Sequence, residues 1–452
     1  MIFHKTIASG CIAALLVLAT SPVAARLTQA EADRLGKDLT PVGADPSGNK
    51  EGTIPPWTGG LTKAPLGWIR ANGYADPFAD EKPLFTITAQ NADQYKAYLV
   101  PGELALLKKL PNFRMPVYTT HRTAAFPKSV TDTAKAQATQ VELKGFGVQN
   151  LGNSNIPFPI PKDGLEAIWN HLMRYTGGGT EGDANSFPVR ANGEYYTIGV
   201  HATRIYDKNF DQHTPNRLFV ARIFFTAPAE LKGEVFLVHE PIDQVAEVRA
   251  AWIYNSGARR LRRAPDLAYD NINDGSEGMY TSDQVDGYNG APDRYDWKLL
   301  GKREIYVPYN SYKMGDKKLK YKDMLLKGTI NPDYTRYELH RVWVVDGTLK
   351  AGFSHVYARR TFYLDEDSWT VLLEDTYGNR GDLWRVGIHG QEQYYDVPGS
   401  GYRYAIIHDL DSGTYYAGGL DNEMKSVGTF EIKGRVSDYV PDAIRRLGGT
   451  TQ

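Results

Sequence analysis

Cysteine is nearly missing from this chain: Cys11 is the only one in 452 residues. No intrachain disulfide can form, and a thiolate metal cluster of the CxxC kind is excluded. An excess of one charge is also missing. The 52 basic side chains face 53 acidic ones for a net charge of −1, so no global field points to nucleic acid or to an anionic membrane. Long apolar runs are absent beyond the first residues, where the run 11–19 is far short of the ~18 residues of a spanning helix. The sequence contains neither an H-E-x-x-H zinc motif nor a G-x-S-x-G nucleophile elbow.

The apolar run at 11–19 follows Lys5 and precedes the small residues Val23, Ala24 and Ala25. A basic start, a short apolar stretch and a small-residue cleavage site make a secretory signal peptide, expected over 1–25. Ala8-Ser9-Gly10-Cys11 resembles a lipobox, but its cysteine precedes the apolar run instead of following it. Cleavage after Ala25 removes the lone cysteine, which suits an oxidising compartment and leaves no cysteine nucleophile. The mature chain is expected to be a soluble periplasmic protein without a stable membrane span, and with enough residues to bury a large core unstapled.

What the chain has in quantity is tyrosine, 29 of them beside 16 phenylalanines and 8 tryptophans. Aromatic residues suit pleated, half-buried surfaces and favour β structure. Residues 26–186 read as an extended segment with helices. Thr28 and Glu31 have capping-box spacing, opening a short polar helix to Leu39, and a stretch dense in Pro and Gly follows. Helical patches are expected over 88–110, broken at Pro101-Gly102, and over 131–141. The clearest helix is 163–175: Asp163 and Glu166 start it, the glycines 177–179 stop it, and Leu165, Ile168, Trp169, Leu172 and Met173 form one apolar stripe.

From about Phe187 the period becomes twofold. Tyr196, Ile198, Val200 and Ala202 share one strand face, and strands follow near 231–239, 245–254, 258–263, 298–307, 337–348, 353–364, 369–377 and 382–390. Turns are expected at 255–257, 346–347 and 365–367. Strand after strand without helices between them means an antiparallel sheet. The expected organisation is α+β, a half-barrel from 187–452 forming one structural domain with 26–186.

Chemical motifs are few. Gly177 to Gly182 matches G-x-G-x-x-G but follows a helix, so the strand–turn–helix setting of a dinucleotide site is missing. Asp207, Asn209 and Asp211 have calcium-loop spacing, yet Gln212 and Leu218 stand where glycine and an acidic residue belong. His201, His239, His340, His355, His389 and His408 are scattered one to a strand. Arg259, Arg260, Arg262 and Arg263 crowd one return strand after the turn 255–257. They read as a solvated edge that blocks strand pairing, or as a cationic rim for a head group or acidic partner.

Several long strings carry a family resemblance: Trp252 to Pro265 (WIYNSGARRLRRAP), Tyr288 to Lys298 (YNGAPDRYDWK), Tyr337 to Val345 (YELHRVWVV), Arg359 to Trp369 (RRTFYLDEDSW) and Pro157 to Trp169 (PFPIPKDGLEAIW). They resemble the proteobacterial family catalogued as domain of unknown function 1329, over nearly all of the mature chain. That family is similar, more distantly, to LolA/LolB-type lipoprotein carriers and outer-membrane lipoprotein-sorting proteins. The resemblance implies a strongly curved antiparallel sheet, an incomplete barrel with helices in its concave face and an apolar cavity between them. It brings no catalytic residues or cofactors. It implies a periplasmic carrier or chaperone for a hydrophobic, lipid-like ligand passing between inner and outer membrane. Possible partners are a resistance–nodulation–division type exporter and an outer-membrane companion. The chain is about twice as long as a LolA-type carrier and lacks the LolB-type anchor. The ligand-facing residues expected are Tyr196, Ile198, Val200, Trp252, Tyr254, Trp343 and Trp384 from the sheet, with Trp169 and Met173 from the helix. An adaptor role for the arginine hairpin and an envelope hydrolase are the alternatives.

Overall fold

The structure, a computed structural model, describes residues 26–449; the signal peptide expected over 1–25 lies outside them. Among the described residues, fifteen strands join in one open sheet. From one end its order is Phe85–Ile87, Met115–Val117, Tyr337–Leu349, Arg359–Asp365, Val371–Tyr377, Leu383–Tyr394, Gly399–Asp409 and Tyr415–Leu420. It continues through Thr180–Val189, Ile198–Tyr206, Arg217–Ala227, Val235–Pro241, Ala250–Asn255 and Arg260–Arg263. Tyr295–Pro308 pairs along the full length of Tyr337–Leu349. Within this sheet the named strands pair antiparallel except for a single parallel bridge between Val117 and Tyr337.

Two runs of hairpins, 180–263 and 295–420, thus make the two halves of the sheet. They are joined where Tyr415–Leu420 pairs with Thr180–Val189. The latter strand crosses the expected boundary at 186/187, because the alternation that identifies a strand continues upstream through small and polar residues. The strands at 85–87 and 115–117 also bring the N-terminal segment into the sheet.

Alternation sends neighbouring side chains to two cores. On the face called inner here, Val345 pairs with Phe362, and the helix Gly164–Met173 lays Ala167 and Ile168 beside them. This helix starts as its sequence dictates: Asp163 accepts the Glu166 N–H at 2.9 Å, and the Glu166 carboxylate accepts from Lys162 N–H at 2.6 Å. On the outer face, Val344 pairs with Tyr363 over the core that also holds Leu106 and Leu107 of the helix Pro101–Lys109. Pro101 begins this helix after the break, where its missing N–H costs nothing. A third helix, Pro441–Gly449, covers the outer side of the last strands, with Ile444 against Tyr254 and Leu237.

The expected polar helix to Leu39 is only one turn, Gln29–Ala32, and the patch at 131–141 is a helix at Lys128–Gln137. The turn expected at Asp346-Gly347 is absent: both residues lie inside the strand Tyr337–Leu349, opposite Lys298 and Trp297. Their turn-forming identity is overridden by pairing on both sides, and Gly347 is there because the Trp297 ring leaves no room for a Cβ, which would come within 2.8 Å.

Candidate functional site

An apolar hollow lies on the inner face of the half-sheet formed by residues 180–263. Its floor is the cross-strand row Ala202, Ile223 and Phe236 with the adjoining Ala221 and Val238, all inward by register. Its cover is the long connection between Arg263 and Tyr295, which reaches over the strands with Leu267, Val285 and Asn289. The hollow has a volume of about 300 Å3. At Thr180, Ala202 and Arg204 it meets a second, wider depression of about 400 Å3 faced by Tyr280, Tyr402 and Tyr416.

The cover is strapped down. Arg249 donates to Leu267 O at 2.8 Å and to Asn289 O and Oδ1 at 2.7 Å each, while its Nε meets buried Glu240 at 2.5 Å. Arg360 holds Asp283 at 2.6 Å, and His355 shares that carboxylate at 2.9 Å. Arg174 and Arg204 grip the two oxygens of Asp286 at 2.6 and 2.9 Å. The Tyr196 hydroxyl donates to Gly275 O. Burial would raise Asp286 and Asp283, but the facing guanidinium groups outweigh it and hold both well below the usual carboxylate range. His171 donates from Nε2 to Asp286 O at 2.8 Å and accepts the Val371 N–H at Nδ1 at 3.2 Å, and burial pushes it down to about 3, so it is neutral.

The residues expected to face ligand are divided by this geometry. Ile198 and Val200 lie on the inner face with Phe225 and Phe236, and Tyr196 packs there while tying the cover. Trp169 and Met173 are fully buried behind the hollow, against Phe219, which lines it. Trp252 and Tyr254 point to the opposite face from Ile198, a correction to the expectation that they share it. They pair with Leu237 and Val235, and Trp252 packs on His239 with ring centres 4.9 Å apart. The reason is parity: Ala251 and Ile253 occupy the inward positions of that strand, so its aromatic residues turn outward. Trp343 is inner but stacks on Trp369 at 6.2 Å, away from the hollow, and Trp384 packs against Tyr357 and Arg385.

Arg260–Arg263 is the last strand of the sheet, and the three arginines within it are exposed. Leu261 and Arg263 face outward opposite Tyr254 and Trp252, with the Arg263 guanidinium 5.4 Å from the Trp252 ring centre. Arg260 and Arg262 face the other way, and Arg259 occupies the turn at φ 51°. The histidines do not converge: His201 lies between Asp183 and Glu181, His239 meets Tyr439 O, and His408 meets Thr329.

His340, Asp365 and Asp367 place three potential metal-ligand atoms within 4.8 Å of one another. Arg122 donates to both Asp367 oxygens at 2.8 and 2.7 Å, and Tyr309 and Ser368 both donate to Asp365 Oδ2, while Asp365 Oδ1 has no hydrogen-bond partner. The trio reads as part of a buried ion network.

Arg204, Arg249, Arg174 and Asp286 were not singled out by the sequence. Arg204 had a usable signal: it continues, two residues past Ala202, the inward phase of Ile198 and Val200. Asp286 had none, since it sits in a loop whose path depends on tertiary contacts.

Comparison with known proteins agrees with the sequence strings. The chain is 48% identical over 443 residues to an uncharacterized protein of Pseudomonas aeruginosa, covering 96% of this chain and 97% of that one. Among solved structures it is similar to a domain from Vibrio parahaemolyticus provisionally described as an outer membrane lipoprotein-sorting protein (15% identity, 63% of this chain and 98% of that one, TM-score 0.45). A DUF1329 family protein from Desulfovibrio piger matches at 14% identity over 60% of this chain and 92% of that one, with a TM-score of 0.43. A LolA superfamily protein from Nitrosomonas europaea matches at 11% identity, 60% and 94%, with a TM-score of 0.38. The model of the family described as protein of unknown function (DUF1329) matches residues 86–445, and the chain belongs to that family.

Proposed function

We propose that this protein is a non-catalytic periplasmic carrier that holds a hydrophobic, lipid-like ligand on its passage between inner and outer membrane. One observation carries the reading: an apolar hollow of about 300 Å3 between a sheet face and a strapped-down cover. Burying a few hundred Å2 of ligand at ~25 cal/mol per Å2 is worth several kcal/mol before association costs. The signal-peptide reading of residues 1–25 supports export. Native mass spectrometry of protein purified from its own host is the test. A co-purifying apolar molecule, lost when Ile223→Trp fills the hollow, is the expected result. Repeatedly ligand-free protein whose spectrum is unchanged by Ile223→Trp would defeat the proposal.

A second reading attaches to the exposed arginines on the edge strand, which suit docking to an acidic surface of an envelope exporter or its outer-membrane companion. Replacing Arg260 and Arg262 with glutamate should then abolish capture of that partner while the co-purifying ligand is retained.

A further inference from the structure

The hollow has a charged end. Along the strand Ile198–Tyr206 the inward positions run Ile198, Val200, Ala202, Arg204, so apolar floor gives way to a guanidinium where the two hollows meet. Arg204 and Arg174 share a single carboxylate, Asp286. His171 beside them is neutral, and Glu240 is matched by Arg249. Glu181 and Asp183, on the neighbouring strand, pair in register with Thr203 and His201 and so point to the outer face, where they hold His201 between them. At Asp286 itself two guanidinium groups therefore face one carboxylate, while Arg360 farther along the inner face is shared by Asp283 and Glu374.

The two guanidinium groups differ in access. The side chain of Arg174 is 2% exposed, and its second amino group is spent on His171 O at 2.7 Å. That of Arg204 is 20% exposed and borders both hollows. A cation beside apolar surface is costly unless an anion meets it. The apolar hollow itself, at about 300 Å3, is at the small end of the ~300–1,000 Å3 of ligand sites and has room for one alkyl chain.

We propose that the ligand is a single-chain amphiphile with an anionic head, its chain over Ala221, Ile223 and Phe236 and its head against Arg204. This rests on the carrier reading and adds the polarity and chain number of the cargo. Isothermal titration of the purified full chain with decanoate, decan-1-ol and decyltrimethylammonium separates the two. Decanoate should bind about 10- to 100-fold more tightly than decan-1-ol, the worth of a charge-assisted hydrogen bond. The preference should collapse in Arg204→Met and survive in Arg204→Lys, with thermal melts reporting whether each variant folds. Equal binding of decanoate and decan-1-ol to the unaltered protein overturns the head-group assignment and leaves the carrier standing. So does a preference for decyltrimethylammonium, or one for decanoate that Arg204→Met does not change. Failure of all three to bind overturns the carrier reading with it.

Discussion

Trp252 and Ile253 are chain neighbours that end in different cores. Ile253 pairs with Phe236 on the face of the hollow, and Trp252 pairs with Leu237 under the C-terminal helix. The strand that carries them is a wall between two environments with separate consequences for mutation.

Truncating the outer core should cost stability without touching cargo. Tyr254 is buried against Ile444 and Val235, so Tyr254→Ala is expected to destabilise by about 3–5 kcal/mol in urea denaturation. The fraction of folded protein carrying ligand should be unchanged. A loss of ligand with stability intact would place Tyr254 in the binding site after all.

Arg122 is the hub of a buried ion network. It donates twice to Asp367 and also to Asp45 O at 2.7 Å, which pins the Pro/Gly-rich segment to the sheet. Removing it strands a buried carboxylate, so Arg122→Met should cost about 3–5 kcal/mol, with part recovered in Arg122→Met/Asp367→Leu. Limited proteolysis should show new cleavage near residues 45–55 in the single variant. Unchanged stability would mean that the network contributes nothing.

Asp375 gives a pH dependence with a defined sign. Burial pushes its carboxyl up to about 7, above the ~3.9 of an unfolded aspartate. The folded state therefore binds a proton that the unfolded chain releases. The contribution is fully present below about pH 4, declines as pH rises, and is gone above about pH 7. Asp375→Asn, which can keep the 3.1 Å bond from the Tyr363 hydroxyl, should be more stable than the parent by about 2–4 kcal/mol at about pH 8 and nearly equal at about pH 4. Glu103, also raised by burial, leaves some dependence in the variant. Denaturant midpoints at the two pH values decide it, and a gap that does not vary with pH refutes it.

The edge arginines protect the sheet if they act as charged edge residues do. Arg260→Thr/Arg262→Thr should then self-associate in sedimentation velocity while its melting temperature stays close to that of the parent. A monomeric variant would remove the protective role and leave docking as their remaining use.

How far the sequence could be read depended on how local the determinant was. The helix at Gly164–Met173 announces itself through Asp163, Glu166 and its apolar stripe, and Pro101 marks where a helix restarts. The strand positions were legible from alternation, but the face of Trp252 was not, because aromatic residues on that strand fill either side equally well and neighbouring strands decide. The cover was not legible either. Between Arg263 and Tyr295 it has short turns of 3-10 helix and one isolated bridge, and Arg204, Arg249 and Arg360 from three distant strands or their ends, with Arg174 at the helix end, hold it in place. A pattern of residues along the chain cannot show such a set of long-range ion pairs.

The join at Thr180–Val189 has a consequence for assembly. One edge of that strand is satisfied by its sequence neighbour Ile198–Tyr206, whereas the other waits for Tyr415–Leu420, made more than two hundred residues later. In that interval Phe187 and Val189 stand on an open strand edge with unpaired backbone groups. Such long-range pairings are slow to form and vulnerable to misassociation. The half-sheet at 180–263 thus acts as a template that is completed only when the last strand arrives, which makes this seam the step at which an emerging chain most needs protection.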